Sequence, residues 1–253
     1  MKKLAINLIV ILALMLISAG AMAQNTGASP YLGSTHTYTS AKTSGMSGTN
    51  LSWSVSGGGI LTENGTDKLS ATIQWTSVGN YTVTVTETTA DNCSTIRSFP
   101  VSVVANPFNL TVTAPSADCA AGSGTVIADG ATSPGNTTVS YTVAFTGDNT
   151  KTATFDYALT TTTSAVINSV TISGGIYTGT SLTGNDLTIP AGTSSFTVTI
   201  VIASRFDVQD VVKLAISDAK DFYGTPENNT TAANNEGTAT VHAVPNTTPI
   251  SAN

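Results

Sequence analysis

The residues able to do chemistry in this chain form a short inventory. Of 253 residues, two are histidine, two are cysteine and 15 carry carboxylates. His36 and His242 stand alone, with no H-E-x-x-H and no paired cysteine spacing of the kind that holds zinc. Each therefore reads as a strand-surface residue. A G-x-S-x-G nucleophile elbow is absent, and polar strand faces account for the abundant Ser and Thr. Glycoside hydrolysis needs two positioned carboxylates, but among 15 acids some pair lies close by chance. The inventory points to a protein that is not an enzyme.

The elements that position these residues read as strands. Hydrophobic residues make up 40% of the chain and charged ones 9%, enough apolar surface for packed cores. A Thr-rich, Lys-poor composition leans all-β. The clearest stretch spans residues 187–217. Phe196, Val198, Ile200 and Ile202 alternate with Ser195, Thr197, Thr199 and Val201, and after a short acidic turn Val212, Leu214 and Ile216 alternate again. Period two means one apolar face per strand. The two strands are expected to pair with each other and lay those faces on a second sheet.

Residues 1–23 read as a secretory signal peptide, with Lys2 and Lys3, an apolar run from Leu4 to Ile17, and Ala21-Met22-Ala23 before a cut at Gln24. The apolar run is short for a membrane span, and Gln24, not Cys, follows the cut, so no lipid anchor is expected there. Removing the two lysines makes a chain of net charge −6 more acidic still. An acidic surface without a basic stripe excludes nucleic acid as a partner. Export compartments permit disulfides, so Cys93 and Cys119 are a disulfide candidate. The bond would close a loop of about 26 residues and stabilise by about 3.5 kcal/mol in the chain-entropy picture. The other reading is two separate thiols.

In chain order, 24–32 is a flexible lead-in, 33–105 a first unit, 108–244 a second and 245–253 a tail. In the first unit Leu51, Trp53 and Val55 alternate with serines, and Gly57-Gly58-Gly59 breaks the strand. Leu69 to Trp75, Tyr81 to Val85 and Phe99 to Val103 repeat the pattern at the spacing of a compact sandwich. Trp53, Trp75, Tyr81 and Phe196 share the register of neighbouring Val and Ile, which assigns them to cores rather than to a sugar-stacking face. Asn106-Pro107 marks the boundary, because proline cannot extend a paired central strand.

Two resemblances follow from particular motifs. W-S-V-S-G-G-G (53–59), Trp75 before a Gly turn, G-N-Y-T-V-T-V-T-E (79–87) and D-N-C-S (91–94) resemble the PKD-like, Ig-type repeats of Bacteroidetes surface proteins, without the W-D-F-G-D-G run of standard PKD domains. In the second unit V-S-Y-T-V (139–143), T-A-T-F-D-Y (152–157), L-T-I-P-A-G-T-S-S-F-T-V-T-I (187–200), D-V-Q-D (207–210) and G-T-A-T-V (237–241) follow the order seen in Calx-beta domains. Residues 160–185 then read as an insertion. Together the resemblances imply two Ig-like antiparallel β-sandwich domains in tandem.

The second resemblance also implies a calcium site at Asp156, Asp207 and Asp210, the only cofactor reading carried. Hard cations want clustered carboxylate and carbonyl oxygens. Ser204 and Arg205 stand where the family's adjoining acids would be, which lowers the site's charge. Solvated turn acids that keep strand ends in water are the heavier reading. Asp218, Asp221 and Glu227 form a second acidic loop with less support.

The function expected is that of a non-catalytic, exported structural or adhesive protein, extracellular, at the cell surface or periplasmic. Its partners would be other surface proteins or copies of itself in a filament or surface layer, because weakly charged edge strands pair readily. A carbohydrate-binding module is the other class, with Tyr31, Tyr38, Tyr177 and Tyr223 as stacking residues.

Overall fold

A computed structural model describes residues 25–44, 48–116, 118–119, 135–162, 165–204, 209–228 and 235–243. The leader, Asp207 and the tail lie outside them. The described chain is all-β, and its strands build two sandwiches, each around its own core.

The first sandwich has two three-stranded sheets. One is ordered β1 (Thr35–Thr39), β4 (Ser70–Trp75), β3 (Gly59–Asn64), and the other β2 (Asn50–Val55), β5 (Gly79–Thr88), β6 (Ser94–Val103). Alternation decides which side chains turn inward: β2 buries Leu51 and Trp53 and exposes Ser52 and Ser54. Trp75, Ile73, Val83, Val101 and Val103 complete the core. The β2–β3 turn needs glycine. Gly58 has φ +67°, and a Cβ there would lie 2.1 Å from the Tyr81 ring. That ring, half-buried, stacks 5.7 Å from Trp75.

The second sandwich has two five-stranded sheets. The first is ordered β13 (Thr183–Ile189), β10 (Ala153–Thr161), β15 (Asp210–Asp221), β16 (Glu236–His242), β8 (Asp118–Cys119). The second runs β12 (Tyr177–Gly179), β11 (Val166–Ile172), β14 (Ser195–Ser204), β9 (Gly135–Thr146), β7 (Asn109–Thr113). Pairing is antiparallel except between β8 and β16. Tyr141 of β9 ties the sheets by donating its hydroxyl to the Val212 carbonyl of β15 at 2.6 Å.

One expected pairing changes here. β14 and β15 do not pair; they lie in opposite sheets. Their apolar faces meet across the core, where Phe196 of β14 packs 5.1 Å from Phe155, the β10 neighbour of β15. Both arrangements bury the same side chains, but β9 offers β14 an unbroken ladder from Ser195↔Ala144 to Ser204↔Gly135. Residues 160–185, read as an insertion, supply β11 and β12, and β11 buries Val170 and Ile172 between β12 and β14. The lead-in is anchored as well, with Asn25 and Tyr31 fully buried. It lacks alternation because side-chain hydrogen bonds hold it.

Candidate functional site

The first site is the junction between the sandwiches, organised by Asn25. Its side chain uses all of its capacity: Nδ2 donates to Asp221 Oδ2 (2.6 Å) and Thr225 Oγ1 (3.0 Å), while Oδ1 accepts from the Tyr31 N–H (2.9 Å). Oδ1 also lies 2.8 Å from His36 Nε2, which places the ring's proton on Nε2. The Asn25 N–H donates to Asp148 Oδ2 at 3.2 Å. His36 belongs to the first sandwich and Tyr31 to the lead-in bridged to it; Asp221 ends β15, and Asp148 and Thr225 lie on the loops that follow β9 and β15. One residue thus spans 123 and 196 positions of sequence, the first through its backbone N–H and the second through its side chain.

Around it, the His36 ring stacks 4.1 Å from Tyr223, and the Thr35 N–H donates to the Tyr223 carbonyl. Asn106 donates to the Pro226 carbonyl (2.7 Å) and its own carbonyl accepts from Asn228 (3.0 Å). Burial holds His36 neutral, its pKa down at about 4. The Tyr31 phenol is pushed up to about 12 by burial and then by the charges of Asp148 and Asp221. His36 is therefore a buried junction residue, not the strand-surface residue its isolation in sequence implied. Its Nε2 proton is committed to Asn25 and its ring face to Tyr223, contacts that tie the two sandwiches together.

The second site is a groove on the open side of the first sandwich, between the edge strands β1 and β6. Near the junction the lead-in fills this gap: the Ser102 and Val104 N–H groups donate to Ala28 and Pro30 carbonyls (2.9 and 3.0 Å). Farther out the gap is open. Its floor is Trp53, Val83 and Val85, its walls Thr37–Ser40 and Arg97–Phe99, and its volume about 330 Å³. It continues into a smaller hollow of about 120 Å³ beside Thr43, Glu87 and Thr95.

The strands' hydrogen-bond parity determines what the rims offer. Ser102 and Val104 turn their N–H groups away from β5, so Ser98 and Ile96 do the same at the rim, while Pro100 has no N–H to offer. On β1 the even residues bond β4, as the Ser40 N–H to Leu69 shows, so Thr37 and Thr39 face outward. Ile96 (63% exposed) and Phe99 (44%) stand uncovered. Two unpaired backbone rims over an apolar floor form a slot for extended polypeptide.

The residues singled out from sequence are dispersed. Asp156 pairs opposite Ser217 and accepts the Asp186 N–H, whereas Asp210 lies buried opposite Val241 and accepts from Thr162. Seven residues of β15 separate Ser217 from Asp210, about 23 Å of strand, so Asp156 and Asp210 stand far apart, while Asp207 lies outside the described residues. Among the described residues no group of three His, Cys, Asp or Glu is arranged to hold a metal. Cys93 lies in the β5–β6 turn of the first sandwich and Cys119 on β8 of the second, and both are exposed. Tyr31 and Tyr223 belong to the junction, Tyr177 packs on Tyr157, and Tyr38 hydrogen-bonds the Gly27 carbonyl beside the groove, so no shared aromatic platform forms. Trp53, Trp75 and Phe196 are buried. Sequence reasoning named Asp221, His36, Tyr31 and Tyr223 separately but missed the junction that brings them together.

No family model and no curated protein sequence matches the chain. Among solved structures it is similar to the fibronectin(III)-like modules of Clostridium thermocellum CbhA, at 11% identity over 89% of this chain and 92% of that one, with a TM-score of 0.32. The Yersinia pseudotuberculosis adhesin InvE is 15% identical over 86% of this chain and 57% of its own, TM-score 0.29. BcpA, the major pilin subunit of Bacillus cereus, is 13% identical over 85% and 70%, TM-score 0.33. Likenesses this shallow do not bear on function. No helix among the described residues is long and apolar enough to cross a membrane.

Proposed function

We propose that this chain is an exported, non-catalytic structural or adhesive protein, working at the cell surface as a PKD-like unit (33–105) locked to a Calx-beta-like unit (108–244). The leader at residues 1–23 supports the compartment, and the junction carries the role. An element that holds surfaces together must transmit force between its modules. A buried amide bonded to both sandwiches, with a stacked His36–Tyr223 pair beside it, resists hinging where a bare linker would not. The function then falls to loops, edges and the groove. The test is to shave intact cells with protease and to compare the adherence of cells with and without the gene. Release of the protein from intact cells, together with weaker adherence of the deletion strain, is the expected result. A protein found only inside the cell overturns the reading.

A further inference from the structure

We infer that the groove between β1 and β6 is a receptor slot for residues 244–253 of a second copy of this chain, which adds that segment as a strand and so links copies head to tail. This rests on the self-associating form of the proposed function.

Three observations select the occupant. The gap already accepts extended chain, since residues 28–32 fill its junction end along β6 and bury Tyr31 completely. The open part continues the same slot, so the group that completes it is another strand.

The second observation is position. Val241 pairs with Asp210, so β16 leaves the second sandwich at the pole opposite Asp221 and the junction. The twelve residues of β15 put about 36 Å between those poles. Residues 244–253 extend at most about 35 Å, and the groove lies beyond the junction. These residues do not reach their own groove, but they leave from the end where a following copy's groove can dock.

The third is chemistry. The segment V-P-N-T-T-P-I-S-A-N has no charged side chain to bury. In a strand, Thr248, Ile250 and Ala252 fall on one face, suited to the floor of Trp53, Val83 and Val85. Pro245 and Pro249 share the other parity, so both missing N–H donors point to one side. Asn246, Thr248, Ile250 and Ala252 keep a full set of donors and acceptors toward the other rim. A contact between unlike surfaces that does not close on itself builds an open filament.

The experiment compares the chain starting at Gln24 with the same chain ending at Ala243, by sedimentation over a hundredfold range of concentration. The first is expected to form oligomers that grow with concentration and the second to stay monomeric. A synthetic peptide of residues 244–253 added to the shortened chain should shift tryptophan emission saturably, because Trp53 floors the groove. Ser98→Pro removes an outward N–H from the β6 rim and Thr39→Lys crowds the β1 rim; each should weaken peptide binding at least tenfold while circular dichroism stays unchanged. Oligomers that persist without residues 244–253, a full chain monomeric throughout, or peptide binding indifferent to both variants would each overturn the inference. A monomeric protein that protease still removes from intact cells overturns this inference alone and leaves the surface role standing.

Discussion

The two sandwiches solve the same packing problem at different scales. The second closes its core between five-stranded sheets, with Ile200, Ile202, Val212 and Leu214 wholly buried. The first has three strands per sheet, and β6 is exposed from Ser94 to Pro100. With fewer strands the first cannot cover its own edge, so it borrows the lead-in on one stretch and leaves a groove on the next. The difference separates roles: the larger body supplies stability, and the smaller one has surface left to offer.

The largest expected effect comes from the closed core. Ile200→Ala should cost about 2–5 kcal/mol, because a tightly enclosed site cannot collapse around the cavity. Without the leader, both tryptophans, Trp53 and Trp75, lie in the first sandwich. Tryptophan emission therefore follows that body while far-ultraviolet circular dichroism follows both. In urea the two signals should separate in Ile200→Ala, with the emission midpoint moving less; equal shifts would mean that the sandwiches unfold as one.

Acid tests the junction next. His36 titrates near 4 when folded against an ordinary 6.5, so the unfolded chain binds its proton first as pH falls. The contribution is intact above about pH 6.5, is lost between 6.5 and 4, and is on the order of 3 kcal/mol. Urea midpoints measured from pH 7.5 to 4 should fall across that window in the native chain and fall less in His36→Gln.

Asn25→Ala keeps the backbone donor to Asp148 but takes a donor from the Asp221 carboxylate and an acceptor from His36 Nε2, and should cost about 1–3 kcal/mol. Its mark would be a wider spread of interdomain angles in small-angle scattering, with each sandwich still folded. The smallest effect is expected at Gly58→Ala, about 1–2 kcal/mol, since Tyr81 can swing away from the new methyl at the expense of its stack on Trp75. A changed tryptophan emission in the folded variant would report that movement.

Much of the fold was legible because a strand's inward face is a local property. The alternation at 196–202 and 212–216 marked the residues that the core buries. Partner choice was not legible: the same pattern suits β14 beside β15 or facing it across the core. In 160–185, Val170 and Ile172 carried a strand signal too short to stand out beside threonine and glycine. Of the candidate sites, the calcium acids were chosen by motif order, and register then set Asp156 and Asp210 far apart on neighbouring strands.

By itself the sequence determined that this protein is built of strands and which side of each is apolar. Periodicity and composition act over a few residues, and a linear reading holds them in full. Only the tertiary structure decided that Asn25 meets Asp148 and Asp221, that His36 is buried against Tyr223, and that the gap between β1 and β6 stays open. Those contacts join residues far apart in the chain, and a single hydrogen bond or missing strand leaves no period behind to be read.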